Sequence, residues 1–160
     1  MSEPDIRPAV VAYDGSAEAQ AAVRQAVALL GHRPLVVVTV WEPGLAALAL
    51  TPSAGEVTYM PPDPAAMAAL DRAESDHARH VAEAGASLAR GLGATAEALP
   101  VRDEVDAAET LASIAEQRDA AAIVVGSRGL GAIKARVLGS TSQKLLHHTH
   151  RPVLVVRAPL

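Results

Sequence analysis

Short apolar runs rich in β-branched residues, separated by alanine-rich stretches of helical period, constrain this chain more than any other feature. The clearest runs are Ala9 to Tyr13, Leu35 to Val40, Ala121 to Val125 and Pro152 to Val156. A strand that is apolar on both faces has to be covered on both, which is how parallel strands lie between two layers of helices. After the first run, Asp14-Gly15-Ser16 supplies turn chemistry, and Ser16 is placed to cap a helix. Ala19, Ala22, Val23, Ala26, Val27 and Leu30 form that helix's apolar face, with Gly31 as its stop. Asp63-Pro64 opens a second helix as an N-cap followed by proline in the first turn. Met67, Leu70, Ala73, His77, Val81, Ala84 and Leu88 fall along it, and Gly91 and Gly93 mark its end.

The remaining elements follow the same rhythm. Ala94 to Leu99 alternates through Thr95 and Glu97 and reads as an edge strand. Asp103 or Asp106 caps a third helix with the stripe Ala108, Leu111, Ala112 and Ala115. Ser140-x-x-Gln143 has the spacing of a capping box and opens a last helix toward His150. The final strand carries proline only at its first position, where it is tolerated. Strands alternating with helices predict an open parallel sheet of five strands in a doubly wound α/β architecture, Rossmann-like or flavodoxin-like, with helices on both faces. The expected order is 3-2-1-4-5, within one domain spanning residues 1–160. Phenylalanine is absent and alanine is abundant, so the helices are expected to lie close to the sheet. Residues 43–62, with four prolines and two glycines, read as a long flexible loop.

In such a sheet, ligands bind beyond the carboxyl ends of the strands where the strand order reverses. The order 3-2-1-4-5 places the first and fourth strands side by side at that reversal. The loop after the fourth strand is Gly126-Ser127-Arg128-Gly129-Leu130-Gly131-Ala132, and the last helix begins behind Gly139-Ser140. Glycines admit close backbone approach, and a helix start presents unpaired N–H groups to an anion. Charge is skewed toward the same region. Residues 1–119 hold all 18 acids and 8 of the 14 bases, whereas residues 120–160 hold the other 6 bases and no acid. Together these features predict a phosphate cradle. Two familiar phosphate loops fail on spacing. Gly131 is followed by Ala132-Ile133 rather than Lys and Ser or Thr, and position 134 is lysine where a dinucleotide fingerprint needs glycine or alanine.

What remains, Gly126-x-x-Gly129 followed after nine residues by Gly139-Ser140, resembles the phosphate-binding pattern of the universal stress protein family, in its ATP-binding branch. The resemblance extends over nearly the whole chain through Asp14-Gly15-Ser16, Leu35 to Val40, Val124-Val125-Gly126-Ser127-Arg128-Gly129 and Arg151-Pro152-Val153-Leu154-Val155-Val156. It implies an ATP-binding regulatory protein of the stress response rather than an enzyme. The backbone of Gly126, Ser127, Arg128, Gly129, Leu130, Gly131 and Ala132, with Gly139, Ser140, Thr141 and Ser142, would surround the phosphates. The main chain of Val40 would read the adenine edge, and Ala12, Tyr13 and Asp14 would line the ribose and adenine side. Asp14 would hydrogen-bond ribose or help hold Mg²⁺. The resemblance also implies a homodimer paired through the C-terminal strand, residues 152–157. Family members often carry Gly and Pro where this chain has Glu104 and Asp106.

Other residue patterns support weaker readings. His147, His148 and His150 point in different directions on one helix, which disfavours a shared metal. No histidine is placed by sequence beside Ser16, so a catalytic triad has no support. Trp41 follows the adenine reader and is suited either to stacking on a base or to burial. With one Trp, two Tyr and no Phe, a stacking platform for nucleic acid is not expected. The absence of cysteine, of a long apolar run and of signal-peptide features in Met1-Ser2-Glu3-Pro4-Asp5 leads to the expectation of a cytoplasmic protein without membrane attachment. The alternative function is a slow ATPase or a nucleotidyl-transferring enzyme of related fold. The signature loops of such transferases are missing, and no general base is positioned by the sequence.

Overall fold

The computed structural model describes residues 6–44, 63–103, 105–128 and 138–158. Its elements, in chain order, are β1 (Ala9–Ala12), α1 (Ala17–Leu30), β2 (Leu35–Trp41), α2 (Pro64–Gly91), β3 (Ala96–Arg102), α3 (Ala107–Gln117), β4 (Ala122–Gly126), α4 (Ser140–His148) and β5 (Val153–Val156). All four strand pairings are parallel, and the sheet order is β3-β2-β1-β4-β5, as expected. Strand and helix alternate because the apolar runs cannot tolerate solvent on either face.

The two-residue period of the strands divides the core into two layers. Ala9, Val11, Tyr13, Leu35, Val37 and Val124 pack with α1 and α2, through Ala22, Val23, Ala26, Ala86 and Ala89. Val10, Val36, Val38, Ile123 and Val125 face the other way, toward Leu111 and Ala115 of α3 and Leu145 of α4. The buried positions of α2 are Ala78, Ala82, Gly85, Ala86 and Ala89, with Val81 and Leu88 packing partly buried beside them, so small residues let this helix lie close to the sheet. At Gly85 the approach is closest: a β-carbon there would lie 2.8 Å from the Tyr13 ring and 2.8 Å from Val37 Cγ1. Burial of Tyr13, with a smaller contribution from the neighbouring Asp14 charge, raises the phenol pKa above its ordinary value.

Local signals account for three helix starts. Ser16 Oγ accepts from Ala19 N at 3.1 Å, Asp63 Oδ1 accepts from Ala65 N at 3.0 Å, and Asp106 Oδ1 accepts from Ala108 N at 2.8 Å. Of the two aspartates eligible to cap α3, Asp106 is therefore the cap. Asp103 is buried instead, accepting from Val105 N and Thr110 Oγ1. Two expectations need correction. The third strand starts later and runs longer than Ala94 to Leu99, passing through Pro100. Thr95 O and Asp103 N bond β2, so the odd-numbered residues of this strand face β2 and the nitrogen of Pro100 faces outward from the sheet. Ser140 does not cap the last helix: the cap position is Gly139, Ser140 is the first helical residue, and no described side chain caps this start. Of the long loop expected at 43–62, residues 45–62 lie outside the described residues. Gly44 N is tied to Asp71 Oδ1 of α2 at 3.2 Å.

Candidate functional site

β1 ends at Ala12 and β4 at Gly126, and the chain leaves the sheet in both places at the reversal of strand order. A cavity of about 490 Å³ opens there, within the roughly 300–1,000 Å³ usual for small-molecule sites. Its walls come from three strand ends and three helices. Ala12, Tyr13 and Asp14 follow β1, Val38 and Val40 belong to β2, and Val125, Gly126 and Arg128 come from β4 and its exit. Ala19 lies on α1, Ala107 and Leu111 lie on α3, and Gly139, Ser140, Thr141 and Ser142 form the start of α4. The side over β2 and α3 is thus apolar, and the side over β4 and α4 carries the hydroxyls and a guanidinium.

Most of the residues singled out in the sequence converge here: Ala12, Tyr13, Asp14, Val40, Gly126, Arg128, Gly139, Ser140, Thr141 and Ser142 all line the cavity. Ser127 is buried beside it, its N–H donating to Val156 O at 2.7 Å and its carbonyl accepting from Gly139 N at 2.7 Å. Those two amides are therefore engaged within the protein. Gly129, Leu130, Gly131 and Ala132, together with Lys134 and Arg136, lie outside the described residues. Ala19, Val38, Ala107, Leu111 and Val125 line the cavity without having been singled out. Their signal was present as apolar periodicity, but a stripe that continues past the end of a sheet looks like core in the sequence.

The polar groups around the cavity have defined partners. Asp14 Oδ1 accepts from Ser16 N at 2.9 Å, which fixes the turn between β1 and α1. Ser142 is almost fully buried and donates its hydroxyl to Gly126 O at 2.9 Å, joining the end of β4 to α4. Thr39 Oγ1 donates to Tyr13 O at 2.8 Å, holding β2 against the exit of β1. Pro34 O and Val38 O accept from Ala9 N and Tyr13 N, so the even-numbered residues of β2 direct their main-chain groups toward β1. Val40 shares that direction but lies beyond the last residue of β1, so its amide and carbonyl face the cavity side. Trp41 points to the other face, where its ring centroid lies 5.8 Å from the Arg102 guanidinium carbon.

Two glycines lie in close packing around this site, Gly126 more tightly than Gly139. A β-carbon at Gly126 would lie 2.8 Å from Glu18 Cβ and 3.0 Å from the Glu18 carbonyl carbon, because the end of β4 rests on the first turn of α1. At Gly139 it would lie 3.2 Å from Ser127 O. The spacing between them thus reflects two close backbone approaches, one to α1 and one to the exit of β4.

The cations of the C-terminal stretch are used to join elements. Arg128 Nη2 pairs with Glu18 Oε1 at 3.1 Å, Lys144 Nζ pairs with Asp106 Oδ2, and Arg151 bonds both Glu116 and Asp119. The Lys144 contact, with Ala108 N as a second donor, holds the Asp106 carboxyl below its ordinary value. The Arg151 guanidinium lowers Glu116 in the same way. Three of the six bases in this stretch are therefore paired with acids from elsewhere in the chain. Among the described residues, no group of three or more His, Cys, Asp or Glu side chains is arranged to hold a metal ion, and no helix is long and apolar enough to cross a membrane.

Comparison with known proteins agrees with this architecture. A universal stress protein of Mycolicibacterium smegmatis is 34% identical over 152 residues, covering 92% of this chain and 47% of that protein. A universal stress protein of Thermus aquaticus is 35% identical over 153 residues, covering 92% of this chain and 96% of that protein. The chain spans about half the length of the mycobacterial relatives it matches. Among solved structures, hypothetical protein MJ0577 superposes with a TM-score of 0.74 at 18% identity, over 97% of this chain and 98% of that one. The universal stress protein from Archaeoglobus fulgidus in complex with dAMP gives 0.61 at 22% identity, over 93% and 96%. A universal stress protein in complex with cAMP gives 0.66 at 23% identity, over 96% and 98%. These structural likenesses carry the fold. The model of the universal stress protein family matches residues 5–157, and the chain belongs to that family.

Proposed function

We propose that the cavity binds an adenine nucleotide, ATP with Mg²⁺, and that the protein is a nucleotide-coupled regulator of the stress response. The observation that carries this reading is the start of α4, where Ser140 and Thr141 face the cavity and, among the described residues, no side chain caps the helix. An anion there interacts favourably with the helix dipole and with the first-turn amides. The apolar wall of Val38, Ala107 and Leu111 suits a base, and the outward main chain of Val40 suits an adenine edge. The dAMP and cAMP complexes of structural relatives support the same chemistry. Asp14 is the carboxylate lining the cavity among the described residues. One carboxylate suits a Mg²⁺ ion that arrives on phosphates and keeps most of its waters.

The role proposed is binding rather than catalysis. β5 is one edge of the sheet, and its apolar edge suits pairing with the same strand of a second copy. Pro152 O and Val156 O bond β4, so the Val155 N–H faces outward. Val155→Pro removes that donor without removing a bond to β4, and should convert dimers to monomers in analytical ultracentrifugation. An unchanged dimer mass rejects this interface. For the nucleotide itself, isothermal titration with ATP and Mg²⁺ should show saturable binding at one site per chain. Absence of heat, together with failure to displace a fluorescent ATP analogue, rejects the reading.

A further inference from the structure

Among the described residues, Arg128 is the cation that lines the cavity, and its guanidinium is already paired. The partner is Glu18, in the first turn of α1, with Oε1 3.1 Å from Nη2. The Glu18 side chain is only 15% exposed and that of Arg128 31%, so water screens this pair less than an ion pair on an open surface. The backbone that carries Glu18 is also closely held. The end of β4 rests on Glu18 through Gly126, and Ser16 caps the turn that carries it. Ala19, the next residue, lines the cavity.

We infer that Glu18 sets how much phosphate charge the cavity accepts, acting through Arg128 as a specificity-determining residue. This rests on the nucleotide reading above. A guanidinium has five N–H donors, so Arg128 has donor capacity for a phosphate beside the Glu18 contact. Any phosphate bound to Arg128 then lies within a few ångströms of a fixed, poorly hydrated carboxylate. The repulsion grows with each charge the ligand adds. Adenosine is indifferent to Glu18, a monophosphate is penalised modestly, and a triphosphate is penalised most. Mg²⁺ offsets part of that penalty by neutralising the chain. The pair therefore couples an attractive cation to a repulsive anion, and discrimination comes from the repulsive element.

The test measures dissociation constants of adenosine, AMP and ATP, with and without Mg²⁺, for the unaltered chain and for Glu18→Gln. Glutamine keeps the shape and an acceptor oxygen for Arg128 but removes the charge. The ratio of ATP to adenosine affinity should rise about tenfold in Glu18→Gln without Mg²⁺, and less with it. Arg128→Gln should move the same ratio in the opposite direction. A ratio unchanged in Glu18→Gln, or a loss of ATP affinity there, would overturn the inference and leave the pair as a scaffold that only positions Arg128. If the unaltered chain binds none of the three ligands, the nucleotide reading itself fails and this inference falls with it. Melting curves recorded on each variant separate a charge effect from unfolding.

Discussion

The starts of α3 and α4 both line the cavity, yet they deal with their unpaired amides in opposite ways. α3 begins at Asp106, whose Oδ1 accepts from Ala108 N at 2.8 Å while Oδ2 receives Lys144. α4 begins at Gly139, and among the described residues no side chain caps the first turn. A glycine at the cap position typically costs roughly a few tenths of a kcal/mol relative to a hydrogen-bonding cap. Gly139 is also the position where a β-carbon would press against Ser127 O, so packing and the lack of a cap favour the same residue. The contrast teaches that a side chain serves the α3 start, whereas no described side chain serves the α4 start, the place the proposed reading gives to an anion.

The comparison breaks most sharply if α4 is given the cap it lacks. Gly139→Ser supplies a hydroxyl to the first turn at the expense of a close contact with Ser127 O. ATP affinity should fall by an order of magnitude or more, while chemical denaturation shows stability changed by less than about 1 kcal/mol. Retained affinity would mean that the α4 amides are not the anion site.

A smaller effect is expected at the completed start. Asp106→Ala removes the cap of α3 and the partner of Lys144, which should reduce stability by about 1 kcal/mol in urea denaturation. ATP affinity should change by less than in Gly139→Ser. A larger loss of ATP affinity at Asp106 than at Gly139 would reverse the assignment of the two helix starts.

The smallest effect is on pH dependence. The Asp106 carboxyl is held below its ordinary value of 3.8, chiefly by Lys144. Its contribution to stability is therefore full above that value and is lost as pH falls through the lower folded one. Lys144 is raised above 10.5 by the same contact, so its contribution is full below that value and is lost as pH rises through the higher folded one. Thermal midpoints recorded from pH 3 to pH 6 should fall less steeply for Asp106→Asn than for the unaltered chain, once the offset at neutral pH is removed. Parallel curves would mean that the Lys144 contact contributes nothing in solution.

Much of this architecture was legible because its causes are local. Ser16 and Asp63-Pro64 announce helix starts within a few residues, and the parallel sheet follows from runs such as Leu35 to Val40 that need cover on both faces. Features that depend on pairing were harder to read. Pro100 argues against a strand until the outward direction of its nitrogen on an edge is known. Gly139 and Ser140 are both acceptable caps in sequence, and the folded chain, in which Gly139 N donates to Ser127 O, starts the helix behind the glycine. The basic C-terminal stretch suggested an anion-binding field, but Arg128, Lys144 and Arg151 meet acids brought from far along the chain. Leu111 illustrates the reverse case: its place in an apolar stripe is plain, but its position beyond the sheet, as a wall of the cavity, is a property of the assembled layers.

The central claim is that the uncapped start of α4 receives the anionic part of a nucleotide while the capped start of α3 does not. Amide NMR during titration with ATP and Mg²⁺ tests it most directly. The account predicts saturable shifts concentrated at Ser140, Thr141 and Ser142 and beside Asp14, with the first-turn amide of Ala108 changing far less. Saturable binding that leaves the α4 amides unmoved, or shifts centred on Ala108, would contradict it.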